Sequence, residues 1–191
     1  KERGPTIMEP QIRRVKIEKL TEEAIEPFGD ILGPKDRPPD WKSGAGPPTW
    51  FPNFSVDGTV KVAYASYEYE KPPTEYVFHV LEQHRSITQT VIPLEGKPSI
   101  LTVAPPTTWG VKPDVDKIRA FLLDGTRGVV LAKLTWHNHD APMVLPMYPP
   151  TFNIITIHEA ETYQDIANKS FEFTYEVDIK KHFNVVIQLT W

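Results

Sequence analysis

Six histidines, His79, His84, His137, His139, His158 and His182, are the main source of chemistry in this sequence. An imidazole near its ordinary pKa can give or take a proton at neutral pH, and it can ligate a metal. Two regions set histidines beside other useful side chains. The first runs from Leu81 to Gly96 and reduces to Glu82-x-His84-x4-Gln89-x6-Gly96. Glu82 and His84, two apart on a strand, point to the same face. Gln89, supplied by the next stretch, can complete a cluster, and Gly96 makes a turn. The second region is Lys133-Leu134-Thr135-Trp136-His137-Asn138-His139-Asp140, where His137 and His139 again stand two apart. The set Glu82, His84, Gln89 and His137 offers two imidazoles, a carboxylate and an amide. That set can hold a divalent metal, although an amide is a poor transition-metal ligand.

Each of these residues also has a structural reading. His137, beside Trp136, can be a hydrogen-bonded core histidine. His139 serves a loop if Asp140-Ala141-Pro142 leaves the strand. Glu82 and Arg85 can form a solvated pair. Lys133 is either a snorkelling surface residue or an interior cation for a carboxylate. Arg119 can be structural or substrate-binding. His79, His158 and His182 read as surface or packing residues.

Several chemistries are excluded. Cysteine is absent, so no thiolate nucleophile, disulfide framework or thiolate zinc site exists. There is no phosphate-cradling glycine loop, Gly-x-Ser-x-Gly elbow or His-Glu-x-x-His. A net charge of -4 without a basic run argues against nucleic acid as a partner. No apolar run approaches the ~20 residues of a membrane span. No apolar segment follows Lys1-Glu2-Arg3-Gly4-Pro5 as in a secretion signal, so a cytoplasmic location is expected.

The elements that must position these residues read as short strands. At 191 residues the chain fits about one domain on the length prior. Residues 1–10 read as a flexible leader, with Met8 a candidate natural start, and residues 11–191 as a single domain. Twenty prolines against ten glycines suggest many strands joined by rigid turns. Val15 to Glu18 suits an edge strand. Thr21 caps a helix that Pro27 and Gly29 end early. Residues 33–52 form a Pro/Gly-rich loop whose aromatics, Trp41, Trp50 and Phe51, should pack down on the domain. Strands are predicted over 60–69, 88–94, 99–104, 129–136, 152–157 and 185–189. The alternation from Phe171 to Ile179 predicts a half-buried antiparallel strand. Asp114 to Leu123 predicts a short helix with Ile118, Phe121 and Leu122 on one face. The fold class is all-β in the main: an antiparallel β-barrel or jelly roll with a few short helices.

The Glu-x-His-x4-Gln-x6-Gly spacing resembles the first cupin motif, with Glu82 replacing one of its histidines and Gln89 its glutamate. Cupins draw a further ligand from a later strand, and His137 is the residue placed for it. A more specific resemblance lies in an ordered set of blocks. Phe28-Gly29-Asp30, Leu81-Glu82-Gln83-His84, Thr88-Gln89, Ile92-Pro93-Leu94, Pro113-Asp114, Arg119-Ala120-Phe121, Gly125, Gly128 and Trp136-His137 resemble the ureidoglycolate lyase family, once called ureidoglycolate hydrolase.

The resemblance implies a cupin-like β-barrel, usually a homodimer. It implies an enzyme that splits (S)-ureidoglycolate into glyoxylate and urea in allantoin and purine catabolism. A divalent metal, nickel or zinc, is a possible cofactor, and a small carboxylate is the partner. His84 and His137 would carry the proton transfers or ligate the metal, with Glu82 orienting one of them. Gln89 would hydrogen-bond the substrate and Lys133 would meet its carboxylate, with Arg119 and His139 as further substrate-binding candidates. The chain departs from the pattern at Asn138-His139-Asp140-Ala141-Pro142, where a second histidine followed by proline is common in the pathway's enzymes. The Pro-rich 142–150 segment is also unusual. These departures keep two alternatives open: an enzyme of the same fold acting on another α-hydroxy or ureido acid, or a non-catalytic binder of small carboxylates.

Overall fold

The computed structural model describes residues 9–68, 75–138, 143–144 and 151–191. Residues 1–8 of the expected leader, His139, and the Pro-rich stretch apart from residues 143–144 lie outside the described residues. β1 (Gln11–Lys19) leads into the one-turn helix α1 (Glu22–Ile25), where Thr21 Oγ1 accepts the Ala24 N–H at 3.2 Å. Then come β2 (Gly29–Leu32), a long loop, β3 (Val60–Glu68), β4 (Tyr76–Phe78), β5 (Val80–His84), β6 (Thr90–Pro93) and β7 (Ser99–Ala104). They are followed by β8 (Arg119–Leu123), β9 (Gly128–Leu131), β10 (Trp136–Asn138), β11 (Met143–Val144) and β12 (Thr151–Glu159). α2 (Glu161–Asn168), β13 (Thr174–Asp178), α3 (Ile179–Phe183) and β14 (Val185–Thr190) complete the order.

The strands form two sheets. The larger runs β13-β5-β10-β7-β8-β1-β14-β4, with β11 also on β7, and the smaller runs β2-β9-β6-β12-β3. The result is a mainly-β, cupin-like architecture with few helices. Two cores lie on opposite faces of the larger sheet. Ile100 and Ala104 of β7 belong to one core, with Leu81, Trp136 and Ile187. Leu101 and Val103 belong to the other, with Phe121, Val129 and Leu131. Because β7 is covered on both faces, all six of its residues are buried.

That double burial corrects one expectation, and the strand pairing corrects a second. Asp114 caps a turn of 3-10 helix at Val115–Lys117, but the apolar residues after it form β8, not a helix. Ala120 faces one core and Phe121 the other, so an apolar run mimics helical spacing while lying flat in a sheet. β1 is no edge strand. It pairs with β14 through Gln11–Lys16 and with β8 through Ile17–Lys19, both in parallel, so the barrel is not wholly antiparallel.

Two further expectations need correction. The strand predicted over 129–136 breaks at 132–135, where Leu134 takes a φ of 66°, and its halves β9 and β10 join different sheets. Lys133 therefore sits in a turn. In the alternating segment 171–179 the strand covers Thr174–Asp178 only; Phe171 is 46% exposed and Ile179 opens α3. The 33–52 loop is tied to β2 by the Lys35–Asp30 ion pair, and the Trp41–Thr49 bridge closes it on itself. Its aromatics do not all follow, since Trp41 is 51% and Phe51 61% exposed. No helix among the described residues is long and apolar enough to cross a membrane.

Candidate active site

The site is assembled from three neighbouring strands. β10 pairs antiparallel with β5, setting His137 opposite Glu82, and β13 pairs with β5 from the other side, setting Thr174 opposite His84 and Glu176 opposite Glu82. Opposite residues share a face, so register alone gathers the Glu82, His84 and His137 side chains. All three are buried. Each offers a ligand atom within 4.8 Å of the others'. Among the described residues no other group of three such side chains comes together this closely.

Second contacts orient the two imidazoles. His137 Nε2 lies 3.1 Å from Glu82 Oε1, and its Nδ1 lies 3.2 Å from the Thr135 carbonyl. A carbonyl only accepts, so Nδ1 carries the hydrogen, and a neutral ring turns the Nε2 lone pair toward the carboxylate. Two acceptors at that distance repel unless a proton or a cation lies between them. His84 Nε2 stands 3.7 Å from the same Glu82 oxygen, its Nδ1 is 3.0 Å from Thr174 Oγ1, and the two rings are 5.1 Å apart. Two imidazoles and one carboxylate converging on one point are also donors that suit a divalent transition metal.

The surroundings explain why these residues hold still. Trp136 is fully buried, donates from Nε1 to Thr107 Oγ1 at 2.8 Å, and packs its ring against Tyr175. The broken segment before it is tied to β2 and β5. Ala132 N–H and the Thr135 hydroxyl both donate to the Phe28 carbonyl, and Leu134 N–H donates to the His84 carbonyl. Gly29, next to Phe28, allows this approach: a Cβ there would stand 2.2 Å from the Val130 carbonyl oxygen.

Thr174 has its own anchor. Asp165 accepts the backbone N–H groups of Glu172, Phe173 and Thr174 and the Ser170 hydroxyl. Burial opposes ionisation of Asp165, but these donors outweigh it and hold its carboxyl below the usual carboxylate range. Sequence reading passed over Thr174, Thr135 and Asp165. No local spacing marks a threonine 90 residues from the histidine it touches.

Lys133 and Arg119 are each held by a carboxylate outside the triad. Gln89 is buried just before β6, and its carbonyl accepts the Leu131 N–H. Lys133 Nζ is 2.6 Å from Asp57. Arg119 makes a two-pronged pair with Glu18, donates to the Ala24 carbonyl and lies over the Phe28 and Phe121 rings. The hydrogen bond from Arg119 lowers the Glu18 pKa, and the same bond raises that of Arg119. His79 meets Asp178 at 3.1 Å, and His182 is exposed.

Comparison with known proteins identifies the family. Residues 12–178 match the family model described as ureidoglycolate lyase, which takes in every residue of the site. A protein of Pseudomonas savastanoi pv. phaseolicola named ureidoglycolate lyase is 30% identical over 131 residues, covering 66% of this chain and 75% of its own length. One of Rhodobacter capsulatus with the same name is 30% identical over 142 residues, covering 71% and 83%. One of Pseudomonas aeruginosa strain LESB58 is 31% identical over 140 residues, covering 66% and 75%. With the match running from β1 through the last strand that supports His84, the chain belongs to the ureidoglycolate lyase family.

Proposed function

We propose that this protein is a lyase that cleaves (S)-ureidoglycolate to glyoxylate and urea, a step of allantoin and purine catabolism. The observation that carries the reading is the buried convergence of Glu82, His84 and His137 in a member of this family. Ureidoglycolate holds a hydroxyl, a carboxylate and a urea nitrogen on one carbon. Cleavage removes the hydroxyl proton, turns the C–O bond into a carbonyl, and breaks the C–N bond with its electron pair leaving on nitrogen. A proton must then reach that nitrogen. No water is consumed.

The side chains suit both proton movements. With Nδ1 committed to Thr135, His137 presents Nε2 as the base for the hydroxyl. His84, held at Nδ1 by Thr174, can return a proton to the departing nitrogen. Glu82 lies beside both rings and stabilises whichever imidazolium forms. Gln89 offers an amide for the ureido group. Where a divalent metal, nickel or zinc in our reading, is held by Glu82, His84 and His137, the two imidazoles are its ligands instead of proton carriers, and the metal would supply Lewis acidity at the hydroxyl and carboxylate oxygens. Incubating the purified protein with (S)-ureidoglycolate and assaying glyoxylate tests the reading; no glyoxylate above the buffer rate would sink it.

We also infer a cytoplasmic homodimer. The support for the dimer is Val60, Val62 and Tyr64 on one face of β3, which are 42%, 69% and 65% exposed at the edge of the smaller sheet. A second copy would cover that apolar edge. Light scattering at micromolar concentration that reports only monomer would reject it.

A further inference from the structure

The proposed substrate is an anion, and its carboxylate needs a cation within reach of Glu82, His84 and His137. The basic residues picked out in the sequence are already occupied. Arg119 holds both carboxylate oxygens of Glu18, and Lys133 holds Asp57. A different cation, Lys169, shares a cavity wall with Thr174, the residue that touches His84.

A cavity of about 350 Å³ lies between the end of α2 and β13, lined by Asp165, Ile166, Lys169, Phe171, Thr174 and Glu176. That volume is within the range of small-molecule sites. It reaches the triad's support directly. Thr174, on its wall, touches His84, and Thr174 and Glu176 occupy the face of β13 that carries the register partners of His84 and Glu82. Lys169 makes no ion pair among the described residues, even with Glu176 on the same wall. Its backbone is left-handed, with φ 53° and ψ 38°, a position that closes the helix through backbone N–H bonds to Asp165 and Ile166 and that favours glycine. The cap needs no side chain there, and the exposed ammonium is left without an ion pair among the described residues.

The geometry points to Lys169 as the residue that holds the substrate carboxylate, with the α2–β13 cavity as the route to the triad. This rests on the ureidoglycolate lyase reading. Lys169 binds and orients the anion and takes no part in proton transfer.

Lys169→Gly and Lys169→Arg test it. Glycine removes the charge while fitting the left-handed backbone, so the variant should melt no lower than wild type. KM for ureidoglycolate should rise about 10-fold or more in Lys169→Gly, the scale of a lost charge-assisted hydrogen bond, and kcat should change far less. Lys169→Arg should stay near wild type. Inhibition by glyoxylate, an anion, should weaken in step with KM, whereas inhibition by neutral urea should not. An active wild type with unchanged KM in Lys169→Gly, or with a loss confined to kcat, would overturn the assignment and leave the lyase reading standing. An inactive wild type would reject the lyase reading instead. Glyoxylate titrated calorimetrically into wild type and Lys169→Gly would then still decide the assignment, equal affinities counting against it.

Discussion

Thr174 Oγ1 stands 3.0 Å from His84 Nδ1, while the backbone N–H of the same threonine donates to Asp165 at 2.8 Å. A buried carboxylate thus sets the position of a strand whose hydroxyl sets the angle of an imidazole. Thr174→Val keeps the shape of the side chain and removes the hydroxyl. Activity should drop about 10-fold or more, as when the outer partner of a working histidine is lost. Steady-state kinetics beside a melting curve would check it. Unchanged turnover would mean that the hydroxyl does not orient His84.

Asp165 should give the protein an acid-sensitive limb. Its folded pKa is depressed, so the stability it contributes is fully present above the unfolded value of about 3.9 and is lost as pH falls through the folded value. Wild type should therefore lose stability on acidification more steeply than Asp165→Asn. The variant should also start lower, by about 1–3 kcal/mol for buried donors left poorly matched. Urea unfolding at several pH values would show the two slopes; parallel slopes would refute the linkage.

His137→Ala should abolish lyase activity and leave the fold intact, with at least ~10²-fold lost in rate. If the triad binds metal, the same variant should purify with less of it than wild type, as measured by elemental analysis. A histidine that only packs would behave differently. The melting point would fall while specific activity in the folded fraction stayed near normal.

Arg119→Ala separates a structural role from a substrate-binding one. Its pair with Glu18 is about a third exposed on each side, so solvent screening limits the pair to roughly 0–1 kcal/mol. Stacking on Phe28 and Phe121 adds about 0.5–1 kcal/mol. We expect a modest loss of stability with KM unchanged. A raised KM at unchanged stability would restore Arg119 as a substrate ligand.

Local spacing was enough to read several features from the chain alone. Glu82 and His84 had to share a face because strand side chains repeat every two residues, and β5 shows it. Thr21 had to cap a short helix, and Glu95-Gly96 had to turn, which it does with φ of 61° and 64°. Two readable signals were missed. Asp178 caps α3 by accepting the Lys181 N–H, and Asn184 ends it in a left-handed conformation.

Other features had no local signature. β8 looked helical because a strand covered on both faces needs no polar alternation, and only the second core, with β14 and β4 as its far wall, supplies that cover. The break at Leu134 is stabilised by bonds to Phe28 and His84, far away in the chain, so nothing nearby announced it. The residue types of the triad were determined by the sequence: two imidazoles and a carboxylate, with no thiol available to compete. Their convergence was decided by strand register, since His137 meets Glu82 across 55 residues and His84 meets Thr174 across 90. Hydrogen bonds depend on distance in space, and distances of that kind exist only once β5, β10 and β13 lie side by side.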